Sequence, residues 1–247
     1  MIGLYDRSMR LLRHVYDRRL SEPPIFDADL RFAGHRQFLA HWVAIRDEAL
    51  ALAGRLDTVP RFHELMAAQA EISDRDGRAW RMFVLKAYGV TIPANLKRCP
   101  SLARLLAASP DVLSAAISFL APHKHIPEHR GPFRGVMRFY LALSVPLDAC
   151  GRPVTELVID GQCWRIADGE CLLWDDTFPH EVRHPSPLPR IALLLDVRRR
   201  DLPADLALLS RLLIGMAGAA VWVQRWLPGD PFAARVGQAD ATGSQKT

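Results

Sequence analysis

The sequence predicts an α+β protein: helices first, then an antiparallel sandwich or barrel of the jelly-roll type, then an apolar helix. Three observations carry this. Before residue 100, apolar residues recur at three- and four-residue steps, as in "HRQFLAHWVAIRDEALALAGRL", where Phe38, Leu39, Trp42, Val43, Ile45, Leu50 and Leu52 fall on helical spacing. After Pro122 the pattern changes to short apolar runs of strand length, punctuated by Gly, Pro and Asp. Between those runs there is no helix-length segment, which argues against a parallel α/β sheet.

The N-terminal "MIGLYDRSMRLLRHVYDRRL" is too broken by charge for a secretory signal and reads as amphipathic. "CPSLARLLAASPDVLSAAISF" supplies a further helix, with Pro100 near its start and Pro110 past its end. The strand candidates are "VMRFYLALSVP", "VTELVIDGQCWRI", "ECLLWDD" and "PRIALLLDV", and "IDGQ" predicts a hairpin turn. Pleating puts Met137, Phe139, Leu141, Leu143 and Val145 on one face of the first strand, a core face. The other face carries Val136, Arg138, Tyr140, Ala142 and Ser144, an arginine and a tyrosine among small residues, which suits a polar cavity. Arg190 shares its face with Ala192, Leu194 and Asp196 and gains meaning if that cavity holds an anion.

After Leu202 comes "LPADLALLSRLLIGMAGAAVWVQRWLP", whose apolar stretch from Leu212 to Val223 falls short of the about 20 residues of a membrane span. With Trp222 and Trp226 at one end, residues 205–227 are expected either to lie in a membrane interface or to pack on their own domain. The expected organisation is one integrated domain: a helical support region (1–120), a sheet core (121–200), an apolar helix (201–228) and a mobile tail (229–247).

The composition, 49% hydrophobic and 24% charged over 247 residues, is that of a globular protein with a sizeable core. The net charge of +5 is almost entirely arginine, scattered except at Arg198–Arg199–Arg200. That pattern argues against a nucleic-acid partner and is compatible with an anionic membrane surface. Cys99, Cys150, Cys163 and Cys171 show no C-x-x-C spacing, so reduced thiols in a cytoplasmic chain are expected, at most peripheral at the inner face of a membrane.

Two histidines stand out. His129 lies in "HIPEHRGPFRGVMRFY", and His180 follows Asp175 and Asp176 in "WDDTFPHEVRH". A strand-end histidine beside carboxylates suits a metal ligand, because a second group can take the other ring N–H and fix the tautomer; a solvated loop histidine is the plain alternative. A zinc site from Cys163, Cys171 and His180 matches no structural zinc spacing.

The segment Ser118–Val197 resembles the aspartyl/asparaginyl β-hydroxylase family. The resemblance rests on an ordered set: H-x-G-P at His129, an arginine nine positions later, Trp164 with Gly169–Glu170, D-D-x-x-x-H-E-V ending on His180–Val182, and an arginine ten positions after His180. Weaker similarity reaches back through "CPSLARLL" and "AWRMFVLKAYG" to about Trp42. The resemblance implies a double-stranded β-helix core, iron(II) held by His129 and His180, and 2-oxoglutarate and O2 as co-substrates. It implies Arg190 on the distal carboxylate of 2-oxoglutarate, Ser118 beside it, and Arg138 on substrate or co-substrate. Gly131 stands where most iron oxygenases place an aspartate, a departure this family shares, so Glu128, Asp175 and Asp176 are expected near the site rather than as ligands. Tyr140 replaces the usual histidine; a phenol can donate to a carboxylate but carries no charge. The implied reaction is hydroxylation of the β-carbon of Asp or Asn in a peptide or protein. The alternatives are an acyl-chain hydroxylase acting on a membrane lipid, or a non-catalytic cupin-like module binding a small anion or zinc.

Overall fold

The computed structural model describes residues 2–226 and Phe232. The expected mobile tail therefore lies outside the described residues, apart from Phe232. The strands are β1 (Ile25–Phe26), β2 (Trp80–Ala87), β3 (Val90–Thr91), β4 (Val112–Leu120), β5 (His125–His129), β6 (Val136–Ser144), β7 (Glu156–Ile159), β8 (Gln162–Trp164), β9 (Cys171–Trp174), β10 (His180–Arg183) and β11 (Arg190–Arg198). Four helices matter below: α1 (Ile2–Asp17), α2 (Trp42–Ala53), α3 (Pro100–Ala107) and α4 (Ala204–Trp226).

All strand pairs are antiparallel, and they form two facing sheets: seven strands in the order β1-β9-β6-β11-β4-β2-β3 and four in the order β5-β10-β7-β8. This is the expected α+β double-stranded β-helix, with helices on the outer face of the large sheet. The two-residue strands β1 and β3 close the large sheet's edges, which leaves little open ladder for a foreign strand. The β7–β8 hairpin turns on Asp160 and Gly161, both at positive φ (48° and 78°), as its "IDGQ" signal requires.

Alternation along β6 sorts its residues as expected. Met137, Phe139, Leu141 and Leu143 pack outward against Phe38, Ile45, Ala49 and Leu52 of the helical layer. Tyr140 and Ala142 face the small sheet, where they meet Ile126, Leu157, Ile159 and Val182, with Trp174 of β9 beside them in the same core. Val145 departs from the expected face: β6 ends at Ser144, the chain turns, and Val145 joins the core between the sheets.

Two further differences concern boundaries. The large sheet draws β1 to β4 from residues before 121, so the sheet core extends into the span expected to be helical support. "WRMFVLKA" alternates weakly because both its faces are covered, so it carries no half-buried period to read. And α4 is longer than its apolar centre: Ala204–Arg225, 22 residues, is long and apolar enough to cross a membrane by length and composition alone. Arg211 stands just before the apolar stretch Leu212–Val223, and one charge does not end a helix. Only 28% of that helix's most apolar window is buried against the protein.

Candidate active site between the sheets

Antiparallel pairing builds the centre of the site. β10 lies between β5 and β7, and its register puts His180 directly opposite His129. Directly opposed residues share a face with their Cβ atoms about 5 Å apart, so the two rings must meet. Their centroids are 4.1 Å apart and their planes cross at 52°.

Each ring is set by its own strand. His129 Nδ1 donates to the Pro127 carbonyl and His180 Nδ1 to the Phe178 carbonyl, both at 2.9 Å. A carbonyl can only accept, so both rings are Nδ1–H tautomers with the lone pair on Nε2. Burial drives the His129 pKa down to about 4, with the Arg138 cation adding to the fall. Burial and the neighbouring His129 take His180 down to about 3. Both imidazoles are neutral at pH 7, the state in which nitrogen binds a metal.

The pair stands between two cavities that share Trp80, His129, Arg138, His180 and Leu194. The smaller, about 50 Å³, is lined also by Ser118, Tyr140, Thr155, Trp164, Trp174 and Arg190. The larger, about 420 Å³, runs beneath α1 and α4 over the apolar surface of Met82, Val84, Ala116 and Leu194.

Arg190 is the electrostatic anomaly of the small cavity. It is 3% exposed, lies 5.5 Å from the Tyr140 ring centroid and donates from Nη1 to Ser118 Oγ at 3.3 Å. It has no carboxylate partner among the described residues, and its Nε has no hydrogen-bond partner. A buried guanidinium without a counter-ion is costly unless a ligand supplies one. Ser118 Oγ also accepts from the Trp80 indole at 3.0 Å, so with two donors on its oxygen the hydroxyl proton is available to an acceptor in the cavity. Burial holds the Tyr140 phenol above its ordinary pKa against the pull of Arg190, so it too is a donor.

Around the imidazoles the carboxylates divide. Asp175 is a fully buried structural anchor that takes Arg134 Nε at 2.6 Å, Arg199 at 3.4 Å and the Thr177 hydroxyl at 2.6 Å. Glu128 is exposed. Asp176 sits in the space a side chain on Gly131 would need: a Cβ built there would overlap its carboxylate. The backbone closes the same contact, with Gly131 N donating to the Asp176 carbonyl at 2.6 Å. Asp176 Oδ1 is buried without a partner, and Oδ2 meets Arg138 Nη2 at 3.0 Å. Burial, with Asp196 and Asp175 nearby, raises Asp176 to about 7 against the pull of Arg138. Arg138 is committed on its other side too, its Nε donating to Asp196 Oδ1 at 2.7 Å.

The fold therefore brings His129, His180, Arg138, Tyr140, Ser118 and Arg190 to one hollow. Sequence reasoning missed Thr155 and the indoles of Trp80, Trp164 and Trp174. The last two bury N–H donors with no partner, again facing this cavity. Trp164 and Trp174 stand inside the quoted motifs, so the signal was present without a role attached. Among the described residues no three His, Cys, Asp or Glu side chains gather to hold a metal. The zinc alternative fails there as well: Cys163 is exposed on β8, whereas Cys171 packs against the core on the helical side of β9.

The fold and hollow define a jelly-roll protein with a two-imidazole pocket and a buried cation beside it. The sequence model described as aspartyl/asparaginyl beta-hydroxylase matches residues 39–200, and the chain belongs to that family. It is 32% identical over 180 residues to the ornithine lipid ester-linked acyl 2-hydroxylase of Rhizobium tropici, covering 72% of this chain and 61% of that protein. It is 36% identical over 129 residues to the human aspartate beta-hydroxylase domain-containing protein 2, covering 48% of this chain and 33% of that protein. The chain thus spans less than two thirds of either relative. Among solved structures, the cupin domain of an XRE family transcriptional regulator from Enterobacter cloacae overlaps 35% of this chain and 82% of that one, at 22% identity and a TM-score of 0.29.

Proposed function

We propose that this hydroxylase-family protein is an iron(II)- and 2-oxoglutarate-dependent oxygenase that hydroxylates an unactivated C–H on a hydrocarbon chain. One observation carries the reading: the neutral imidazole pair separates a cavity holding a buried, uncompensated guanidinium from a larger one with apolar walls. The first suits a small dicarboxylate and the second an acyl chain.

The residues present fit a metal. His129 and His180 would hold it through Nε2, and the orphaned Asp176 Oδ1 faces the position that Gly131 leaves open. Iron(II) bound there, with O2 and the oxoacid, supplies the oxidising power to insert a hydroxyl into a C–H bond, 2-oxoglutarate leaving as succinate and carbon dioxide. Arg190 neutralises the distal carboxylate through charge-assisted hydrogen bonds, and Ser118 donates its hydroxyl proton to it. Trp80 keeps Ser118 in place, and the Tyr140 phenol adds a neutral donor. Asp176, poised near neutrality, can hold or release a proton at Oδ1 beside the imidazoles. The dry walls keep water from competing at the centre.

Peptidyl Asp or Asn, the substrate the sequence favoured, fits the larger cavity less well. At the imidazole end a substrate carboxylate would find Arg138 already bound to Asp176 and Asp196, which leaves Arg130, tied to the Thr177 carbonyl, as the cation beside His180. The acyl hydroxylase named above supports the chain reading. Anaerobic titration with iron(II) and 2-oxoglutarate should produce a metal-to-ligand charge-transfer band, and once O2 is admitted, long-chain acyl amphiphiles should stimulate succinate formation. Absence of the band would leave a non-catalytic anion-binding module; stimulation by Asp or Asn peptides alone would restore the peptide substrate.

A further inference from the structure

Two buried donors on the wall of the small cavity have no task so far. The Trp164 and Trp174 indole N–H groups are shut off from solvent and without a partner, and Trp174 as a whole is 3% exposed. An indole nitrogen donates and never accepts, so each needs an acceptor that the described residues do not supply. Leaving such a group unmet costs more than an ordinary hydrogen bond returns.

Ring contacts locate Trp174 along the cavity. Its ring is 6.3 Å from that of His180 and 6.5 Å from that of Tyr140, and the Tyr140 ring lies 5.5 Å from the Arg190 guanidinium carbon. The indole therefore stands between the imidazole pair and the buried cation. Register sets this: Trp174 of β9 pairs with Arg138 of β6, and Tyr140 follows two residues on, on the same face. Trp164 comes from the other sheet, where it pairs with Leu157, two residues from Ile159, the partner of His180. The remaining polar groups lining this end hold no anion. His129 and His180 give their Nδ1 protons to carbonyls and keep only Nε2 lone pairs. Arg138 is bound to Asp176 and Asp196. The Thr155 hydroxyl is spent on His184, whose Nε2 donates to the Leu188 carbonyl at 2.7 Å, so that its Nδ1 accepts from Thr155 at 2.9 Å.

We propose that the Trp164 and Trp174 indoles hold the second carboxylate of a diacid whose first carboxylate lies on Arg190 and Ser118, so that the small cavity selects a dianion over a monoanion of the same length. The proposal rests on the reading of this cavity as the pocket for a small dicarboxylate and deepens it: the selection is made by the chain itself, before any metal binds. A carboxylate has lone pairs enough to accept from both indoles and still present one to a metal.

An NMR titration of the full, metal-free chain carrying isotope-labelled tryptophan tests it with glutarate and with pentanoate, the one-acid counterpart. The Trp164 and Trp174 N–H resonances, assigned from Trp164→Phe and Trp174→Phe, should move downfield as glutarate binds and stay in place with pentanoate. Glutarate should bind about tenfold or more tighter than pentanoate, the value of one charge-assisted hydrogen bond. Phe keeps the aromatic bulk and removes the donor, so each variant should lose most of that preference while holding pentanoate as before. Trp222→Phe, on the exposed side of α4, should change nothing. Thermal melts check that each variant folds. Equal affinity for the two acids, no binding of glutarate, or glutarate binding that leaves both indole resonances unmoved would overturn the proposal. So would wild-type preference in both Phe variants. Diacid preference without the charge-transfer band defeats the oxygenase reading and leaves the indole site standing; the band together with unchanged co-substrate affinity in both Phe variants gives the reverse.

Discussion

At the scale of single residues, the decisive facts are two lone pairs and one uncompensated charge. His129→Ala or His180→Ala should abolish substrate-dependent succinate formation, and full activity in either variant would refute the ligand assignment. Arg190→Met should raise the KM for 2-oxoglutarate by about tenfold to a hundredfold, the loss of a charged hydrogen bond, with Arg190→Lys intermediate. Away from the site, the fully buried Lys124 amine donates to Asp76 Oδ1 and to the Ser73 carbonyl, both at 2.6 Å. Asp76 also accepts from the amides of Arg78 and His125 at 3.0 and 3.1 Å. Burial opposes ionisation of Asp76, but these donors outweigh it and hold the carboxyl below its usual range. A depressed carboxylate stabilises the fold above the unfolded value of about 3.9, and that contribution is lost as the pH falls through the lower folded value. Asp76→Asn should therefore cost about 3 kcal/mol at pH 7, the penalty for stranding a buried partner. Its melting temperature should fall less steeply below pH 4 than that of the wild type; parallel acid profiles would exclude Asp76 as the titrating group.

Elements are held in register by close contacts that one added carbon disrupts. α4 crosses the sheet edge at Gly218, where a Cβ would stand 2.7 Å from the Tyr88 carbonyl. Gly218→Leu should lift the helix from that edge and cost about 1–3 kcal/mol, read as a lower melting temperature. Further along, the Tyr16 hydroxyl meets Ser210 Oγ at 2.7 Å, tying α4 to α1 over the larger cavity. At the site, Gly131→Ala must displace Asp176. The variant should lose activity as well as stability, and unchanged kinetics would show that the position of Asp176 does not matter.

Across the molecule, α1 and α4 cover the larger cavity while showing apolar side chains outward: Leu11 on α1, and Leu208, Leu212 and Met216 along α4, each more than half exposed. A stripe of this kind at the roof of an apolar cavity suits a protein that meets its substrate at a bilayer. Replacing Leu208, Leu212 and Met216 together by Asn should reduce binding to anionic phospholipid vesicles without changing the melting temperature by more than a few degrees, since none of the three is core. Unchanged vesicle binding would place membrane contact elsewhere or remove it. This substitution is a cleaner test than deleting residues 203–247, which would also strip Leu206 and Ile214 from the core they share with Tyr16 and Phe133.

By itself the sequence determined the strand periods, the hairpin turn at Asp160–Gly161 and the identity of most groups in the hollow, because alternation and ordered motifs are local properties of the chain. It could not show that both faces of Trp80–Ala87 are covered, since a strand buried on each side has no polar phase to read. Nor could it show that Arg190 lacks a counter-ion or that Asp176 fills the space beside Gly131. Those facts depend on which strands neighbour one another. Strand order joins residues distant along the chain, so only the tertiary structure decides which charges are paired and which are left for a ligand.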